Sequence, residues 1–245
     1  MLIRAMLIVM LLCSSGWAGI DLTGDADRIQ VTSVTTALAF NRNFTVTGWI
    51  KTDANSGAII GHGCSGWYVR LSGTAQLEFL DDNVASILAS PTLLGTTDWH
   101  HFALTVDNSS PANVIFYVDG ANDSSTTTTA NFSGTACHVF IGAGQECGAC
   151  GKETHFNGKM AELALWQTAL SANEVYQLAH SRGKRLALQI NKSNLVSFWP
   201  LDEGATGAMS TISGFYKDTV GGYNGTLTDA DGDSLNIGEP ILTYP

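Results

Sequence analysis

The chain predicts an all-β fold, a two-layer antiparallel sandwich with one short helix near the C-terminal third. Three observations lead there. Short strand-like runs recur at regular spacing with turn residues between them, the pattern of a sandwich rather than of alternating strands and helices. Thr, Ser, Gly and Asn are abundant while strong helix formers are sparse, which favours strands and turns. A capped helix start stands near residue 171, too late and too short to change the class. The 245 residues, 44% apolar and 14% charged, are enough for one sizeable core under a weakly charged surface.

Residues 1–18 place Arg4 before an apolar run at 5–13, followed by Gly16 and Ala18 at signal-peptidase spacing. A cleaved secretory signal is the expectation, because the run is too short to span a bilayer. No later apolar run is long enough to span either. Removing residues 1–18 takes Arg4 and no acid, so 12 basic residues become 11 against 22 acidic ones, a net charge of −11. That surface repels phosphate backbones and excludes nucleic acid as a natural partner. It favours solubility and is compatible with calcium.

Residues 19–30 read as a turn leading to a strand. Residues 43–51 alternate, with Phe44, Val46, Gly48 and Ile50 on one face and Thr45, Thr47, Trp49 and Lys51 on the other. A short strand is expected at 58–60, a loop at 61–66 and a strand at 67–71 that pairs with 76–80. Residues 91–97 lead into a strand ending at Asp107. Another strand at 113–118 ends in Asp119-Gly120, a hairpin turn because glycine accepts positive φ. Residues 124–129 read as a polar connection and 138–141 as a strand. The glycine- and cysteine-rich stretch 142–151 reads as a loop. Asn157-Gly158 then turns into a strand that breaks at Gln167-Thr168. Ser171 and Glu174 have capping-box spacing, with Leu170 and Val175 as a hydrophobic staple, and the helix runs over about 172–181 and stops at Gly183. Trp49, Trp99, Trp166 and Trp199 are expected in the core.

Four segments together, 156–175, 98–107, 194–203 and 218–227, resemble laminin G-like and pentraxin-like domains, lectin-type jelly rolls of the concanavalin A-like kind. The resemblance implies a single domain over 19–245, with 194–227 supplying a strand that completes the sandwich after the helix. An unfilled strand slot would leave an exposed edge. It also implies a secreted, non-catalytic module that binds carbohydrate or an extracellular protein through rim loops. A structural or adhesive role, as a surface or virion-type module without a small ligand, is the alternative. A glycoside hydrolase is a third reading, since such enzymes set paired carboxylates on one strand face. Here the Glu-x-Asp-x-x-Glu pattern is absent, and Glu78 with Asp81 and Asp82 is the nearest arrangement. His100 and His101 fall on opposite strand faces and cannot act together.

Candidate ligand-binding residues are Trp67, Tyr68 and Arg70 beside the first rim loop, with Gln145 and Glu146 in the second; for Trp67 and Tyr68 packing in the core is the competing expectation. Gly144-Gln145-Glu146 matches the pentraxin calcium run, but Cys147-Gly148 replaces the amide and carboxylate that follow it there. Asp25 and Asp27 in the opening turn are the better calcium candidates. Asp229, Asp231 and Asp233 start like an EF-hand loop, but Ser234 replaces its glycine. After signal cleavage Cys64, Cys137, Cys147 and Cys150 remain, an even number that points to disulfides with three possible pairings. The resemblance sets the two rim loops side by side, so Cys64 is expected to bond Cys147 or Cys150. Zinc on His62, Cys64, Cys147 and Cys150 is the competing arrangement.

Overall fold

The computed structural model describes residues 19–23, 27–31, 43–203, 215–228 and 235–237, apart from 55, 65, 82–85, 97, 108, 110, 131, 133–134, 146–151 and 182–184. Two sheets face each other as a jelly-roll sandwich. The first has the order β10 (Ala121–Thr128), β9 (Ala112–Val118), β8 (His100–Asp107), β3 (Phe44–Thr52), β14 (Asn157–Trp166), β1 (Gly19–Thr23) and β17 (Leu235–Ile237). The strand β15 (Leu195–Trp199) also lies on β14. The second sheet runs β16 (Gly225–Thr228), β2 (Arg28–Val31), β11 (Thr135–Ile141), β4 (Gly57–Cys64), β5 (Trp67–Leu71), β6 (Gln76–Asp81) and β7 (Ser86–Leu93).

Alternation decides which side chains meet between the layers. Phe44, Val46 and Ile50 of β3 enter the core with Trp67, Val69 and Leu71 of β5 and Leu77 and Phe79 of β6. Phe44 stacks on Trp67 at 5.1 Å between ring centroids, and Phe79 and Phe132 pack around that pair.

The strand β14 joins several neighbours. Its register on β3 slips between Ala161, opposite Trp49, and Ala164, opposite Thr47. Glu162 and Leu163 therefore share the place opposite Gly48, a one-residue bulge with Glu162 at φ +50°. Strict alternation would put Glu162 on the same face as the buried Met160. The bulge instead sends Leu163 and Leu165 inward with Met160. On the other side of β14, β1 pairs with residues 157–160 and β15 with 163–166. The Glu162 N–H, between them, donates to Pro200 O at 3.1 Å.

Outward-facing Ala164 and Trp166 meet the helix α1 (Ala172–His180) in a second core with Leu170, Val175, Leu178 and Phe198. Ser171 and Glu174 form the reciprocal capping box, and both staple residues are buried. Thr45 Oγ1 donates to Thr168 O at 2.7 Å and accepts from Leu170 N at 2.9 Å, tying the helix entry to β3. Trp166 Nε1 donates to Ile190 O at 3.1 Å.

The region after the helix supplies more than the one strand expected. β15 joins the first sheet and β16 joins the second. Between them Asp218, 6% exposed, accepts four backbone N–H groups: Phe198, Val220 and Gly221 on Oδ1, and Tyr223 on Oδ2. Other expectations are corrected. Residues 124–129, read as a connection, fall almost wholly within β10, which lies at a sheet edge. Polar Thr and Ser suit an edge whose side chains meet solvent. β7 was not expected; as an edge strand it tolerates Pro91. β4 continues through the supposed loop to Cys64. Trp99 precedes β8 and is only half-buried, whereas Trp49, Trp166 and Trp199 are in the core. Residues 1–18, the helix stop at Gly183 and Asp229, Asp231 and Asp233 lie outside the described residues. Among the described residues no helix is long and apolar enough to cross a membrane.

Adjacent histidines behave oppositely. His101 is fully buried edge-on to Trp49 at 5.2 Å, and burial lowers its pKa from 6.5 to about 4. His62 is likewise lowered to about 4 by burial. His100 Nδ1 donates to Asp119 Oδ2 at 2.9 Å, and that bond raises the His100 pKa. Burial pushes the Asp119 carboxyl up, but the His100 bond and the N–H of His101 outweigh it and hold it below its usual range.

Replacing Asp218 with Ala strands four donors and is expected to cost about 3 kcal/mol in urea unfolding. For His101 and His62, the unfolded chain binds more protons between pH 4 and 6.5, so their contribution is complete above 6.5 and lost as pH falls toward 4. His100 has the opposite sign: its contribution is full below 6.5 and lost as pH rises through its raised folded value. The net expectation is a denaturation midpoint that falls on acidification, with roughly 3 kcal/mol of the drop from His101 alone. His101→Gln should flatten that slope when midpoints are measured across the range.

Candidate functional site

The outer faces of the two sheets are covered differently. α1 and the segment after it pack on the first. On the second, the register sets Gly61 opposite Tyr68 and Tyr68 opposite Leu80, and beside them Ala58 opposite Arg70 and Arg70 opposite Glu78. Because Trp67, Val69 and Leu71 point inward, Tyr68 and Arg70 must point outward. Ala58, Tyr68 and Leu80 form a small apolar floor separate from the main core.

Arg70 and Glu78 stand beside that floor. Arg70 donates from both Nε and Nη2 to Glu78 Oε2, each at 2.8 Å. The guanidinium carbon lies 6.0 Å from the centre of the Tyr68 ring. The side chains keep 32% and 18% of their surface exposed. The turn after β5 places the pair: Ser72 N donates to Gln76 O at 2.8 Å, and Ala75 takes positive φ to close the hairpin.

One wall comes from the hairpin of β12 (Ala143–Gln145) and β13 (Lys152–His155), which joins the second sheet to β14. Gly142, at φ +83°, redirects the chain out of β11. β13 then touches β4 through a parallel bridge from His155 to Ala58. β12 crosses directly over Gly61, where any Cβ would sit 2.8 Å from Gly144 O. That position requires glycine because the backbone above it occupies the side-chain space.

The expected residues divide as follows. Trp67 is corrected. It is 0% exposed, stacked between Phe44 and His62, and offers no face to a ligand. Tyr68 is on the outer face, but at 8% exposure it supports the guanidinium and lines the floor; it is not a stacking platform. Arg70 is at the surface. Gln145 lies in β12 with its side chain outside the described residues, as are Glu146, Cys147, Cys150 and Asp25. Cys64 and Cys137 lie on neighbouring strands, with Cys64 opposite Thr135, and their side chains are likewise outside the described set. Asp27 is fully buried, and its Oδ2 accepts from Thr23 N and Thr23 Oγ1. Among the described residues no group of three His, Cys, Asp or Glu side chains could hold a metal ion.

Glu78 is the residue whose role the sequence reading missed. Its signal was available: pairing 67–71 with 76–80 across a tight turn sets 70 opposite 78. On β6 Glu78 is the single acid of the outer face, since Asp81 pairs with inward Trp67 and Asp82 is outside the described residues. His100 and His101 lie on the first sheet, not at this face.

The family model of the concanavalin A-like lectin/glucanases superfamily, laminin G type, matches residues 23–176. No curated protein matches the sequence. Among solved structures, a Bacteroides ovatus protein whose suggested role is carbohydrate binding is 20% identical, with a TM-score of 0.68. The match covers 93% of this chain but 62% of that one, so the chain spans less than two thirds of its length. A heptameric SAP-like pentraxin from Limulus polyphemus is 17% identical over 69% of this chain and 84% of that one, with a TM-score of 0.52. CBM40 of the Ruminococcus gnavus IT-sialidase, bound to α2,3-sialyllactose, is 13% identical over 66% of this chain and 96% of that one, with a TM-score of 0.55. At these identities the structural matches show a shared fold. With two facing sheets, one capped helix and a family match over well more than half its length, this chain belongs to the concanavalin A-like lectin/glucanase superfamily, in its laminin G branch.

Proposed function

We propose that this chain is an exported, non-catalytic carbohydrate-binding module whose ligand lies on the outer face of the second sheet, against Arg70 and Glu78 and beside the β12–β13 hairpin. One observation carries the reading: a donor-rich cation and a carboxylate are held together by two hydrogen bonds, part-exposed, over an apolar floor and next to a wall of backbone. Sugar recognition uses this combination of apolar surface and a few fixed polar groups. Two of the solved structures that share the fold carry carbohydrate binding in their descriptions, which supports the class of ligand. The leader-like residues 1–18 support export, and paired cysteines among Cys64, Cys137, Cys147 and Cys150 belong to the same reading.

The test is a glycan array followed by calorimetry on the secreted chain. A saturable signal competed by free sugar is expected. Arg70→Met, which keeps the apolar stem, should weaken it by about tenfold or more, at least ~1.4 kcal/mol. Self-association without sugar binding would support the adhesive role instead.

A further inference from the structure

We propose that this face selects neutral glycans and rejects anionic ones, with Glu78 as the residue that sets the choice; the inference rests on the carbohydrate-binding reading above. An arginine on a sugar-binding face commonly offers itself to a carboxylate, as in sialic or uronic acids, through two parallel N–H bonds. Arg70 cannot offer that edge. Its Nε and Nη2 already converge on Glu78 Oε2 at 2.8 Å each, and the Tyr68 ring lies beside its guanidinium. A ligand carboxylate taking this edge would displace Glu78, and one taking the remaining Nη1–Nη2 end would sit beside the Glu78 carboxylate; either way two like charges share one surface. The chain's formal charge of −10 adds a repulsive background.

What remains open suits a hydroxyl. The side chains of Arg70 and Glu78 have no hydrogen-bond or ionic partner among the described residues beyond each other and the Tyr68 ring. The second terminal nitrogen of Arg70 is thus an available donor and Glu78 Oε1 an available acceptor, side by side. A sugar hydroxyl both donates and accepts, so one hydroxyl, or two neighbouring ones, satisfies both groups without breaking the ion pair. A carboxylate has no proton for Glu78 Oε1. The pair therefore acts as a neutral, two-sided hydrogen-bonding group.

The experiment uses matched probes on the wild-type chain: lactose against α2,3-sialyllactose, and galactose oligomers against galacturonic acid oligomers. The expected result is binding confined to neutral members, with charged counterparts weaker by about tenfold or more. Glu78→Gln removes the competing carboxylate and should narrow that gap, mainly by improving the anionic probe. Equal or tighter wild-type binding of the anionic members would overturn the neutral selectivity while leaving carbohydrate binding intact. An unchanged gap in a folded Glu78→Gln chain, judged by its circular dichroism, would remove Glu78 from the role. If no member of either class binds the wild type, the carbohydrate reading fails and this inference fails with it. The wild-type comparison stands even where the variant does not fold.

Discussion

One strand with a single extra residue holds this sandwich together. β14 carries β3 along one side and both β1 and β15 along the other. It also presents side chains to two cores, Met160, Leu163 and Leu165 to one and Ala164 and Trp166 to the other. A regular strand of that sequence would place Glu162 with Met160 against the interior. Burying an unpaired carboxylate costs more than a local disruption of the ladder. The bulge resolves that conflict and turns Glu162 outward, where its carboxylate accepts from Arg185 N at 2.7 Å. It also marks the place where β1 ends and β15 begins, so the C-terminal segment can join the sheet.

That arrangement distributes the two outer faces between stability and recognition. The first sheet gives its outer face to α1, whose packing on Trp166, Leu170 and Phe198 removes it from solvent. The second sheet keeps a part-exposed face, roofed in part by the hairpin that carries the chain from β11 to β14. Crossing from one layer to the other requires a connection at the sandwich edge, and here the connection folds back over Gly61. The candidate site is thus a product of the topology: the crossover supplies its wall, and the β5–β6 hairpin supplies its polar pair.

Polar groups inside the structure follow one rule: a carboxylate is buried where several donors meet it. Asp218 collects four backbone N–H groups between β15 and β16, and Asp27 collects the N–H and hydroxyl of Thr23. Asp27 looks like a calcium ligand candidate in sequence because Asp in a turn serves both purposes.

By itself the sequence determined the class of fold, the alternation of β3 and β5, the capping box at Ser171 and the hairpin turn at Asp119-Gly120. Each is local, written in residues within one turn or one strand of each other. It also contained the β5–β6 pairing from which the meeting of Arg70 and Glu78 follows. Tertiary structure alone decided that Trp67 turns inward, because the choice of face for 67–71 depends on which neighbouring surface has room for an indole. It decided that the polar run of β10 and the proline-bearing run of β7 are strands, since edge positions tolerate residues that propensity counts against them. It decided the bulge at Glu162 as well: the phase of a strand shifts where burial of a charge would cost more than a broken ladder, and that cost exists only once the two sheets have closed.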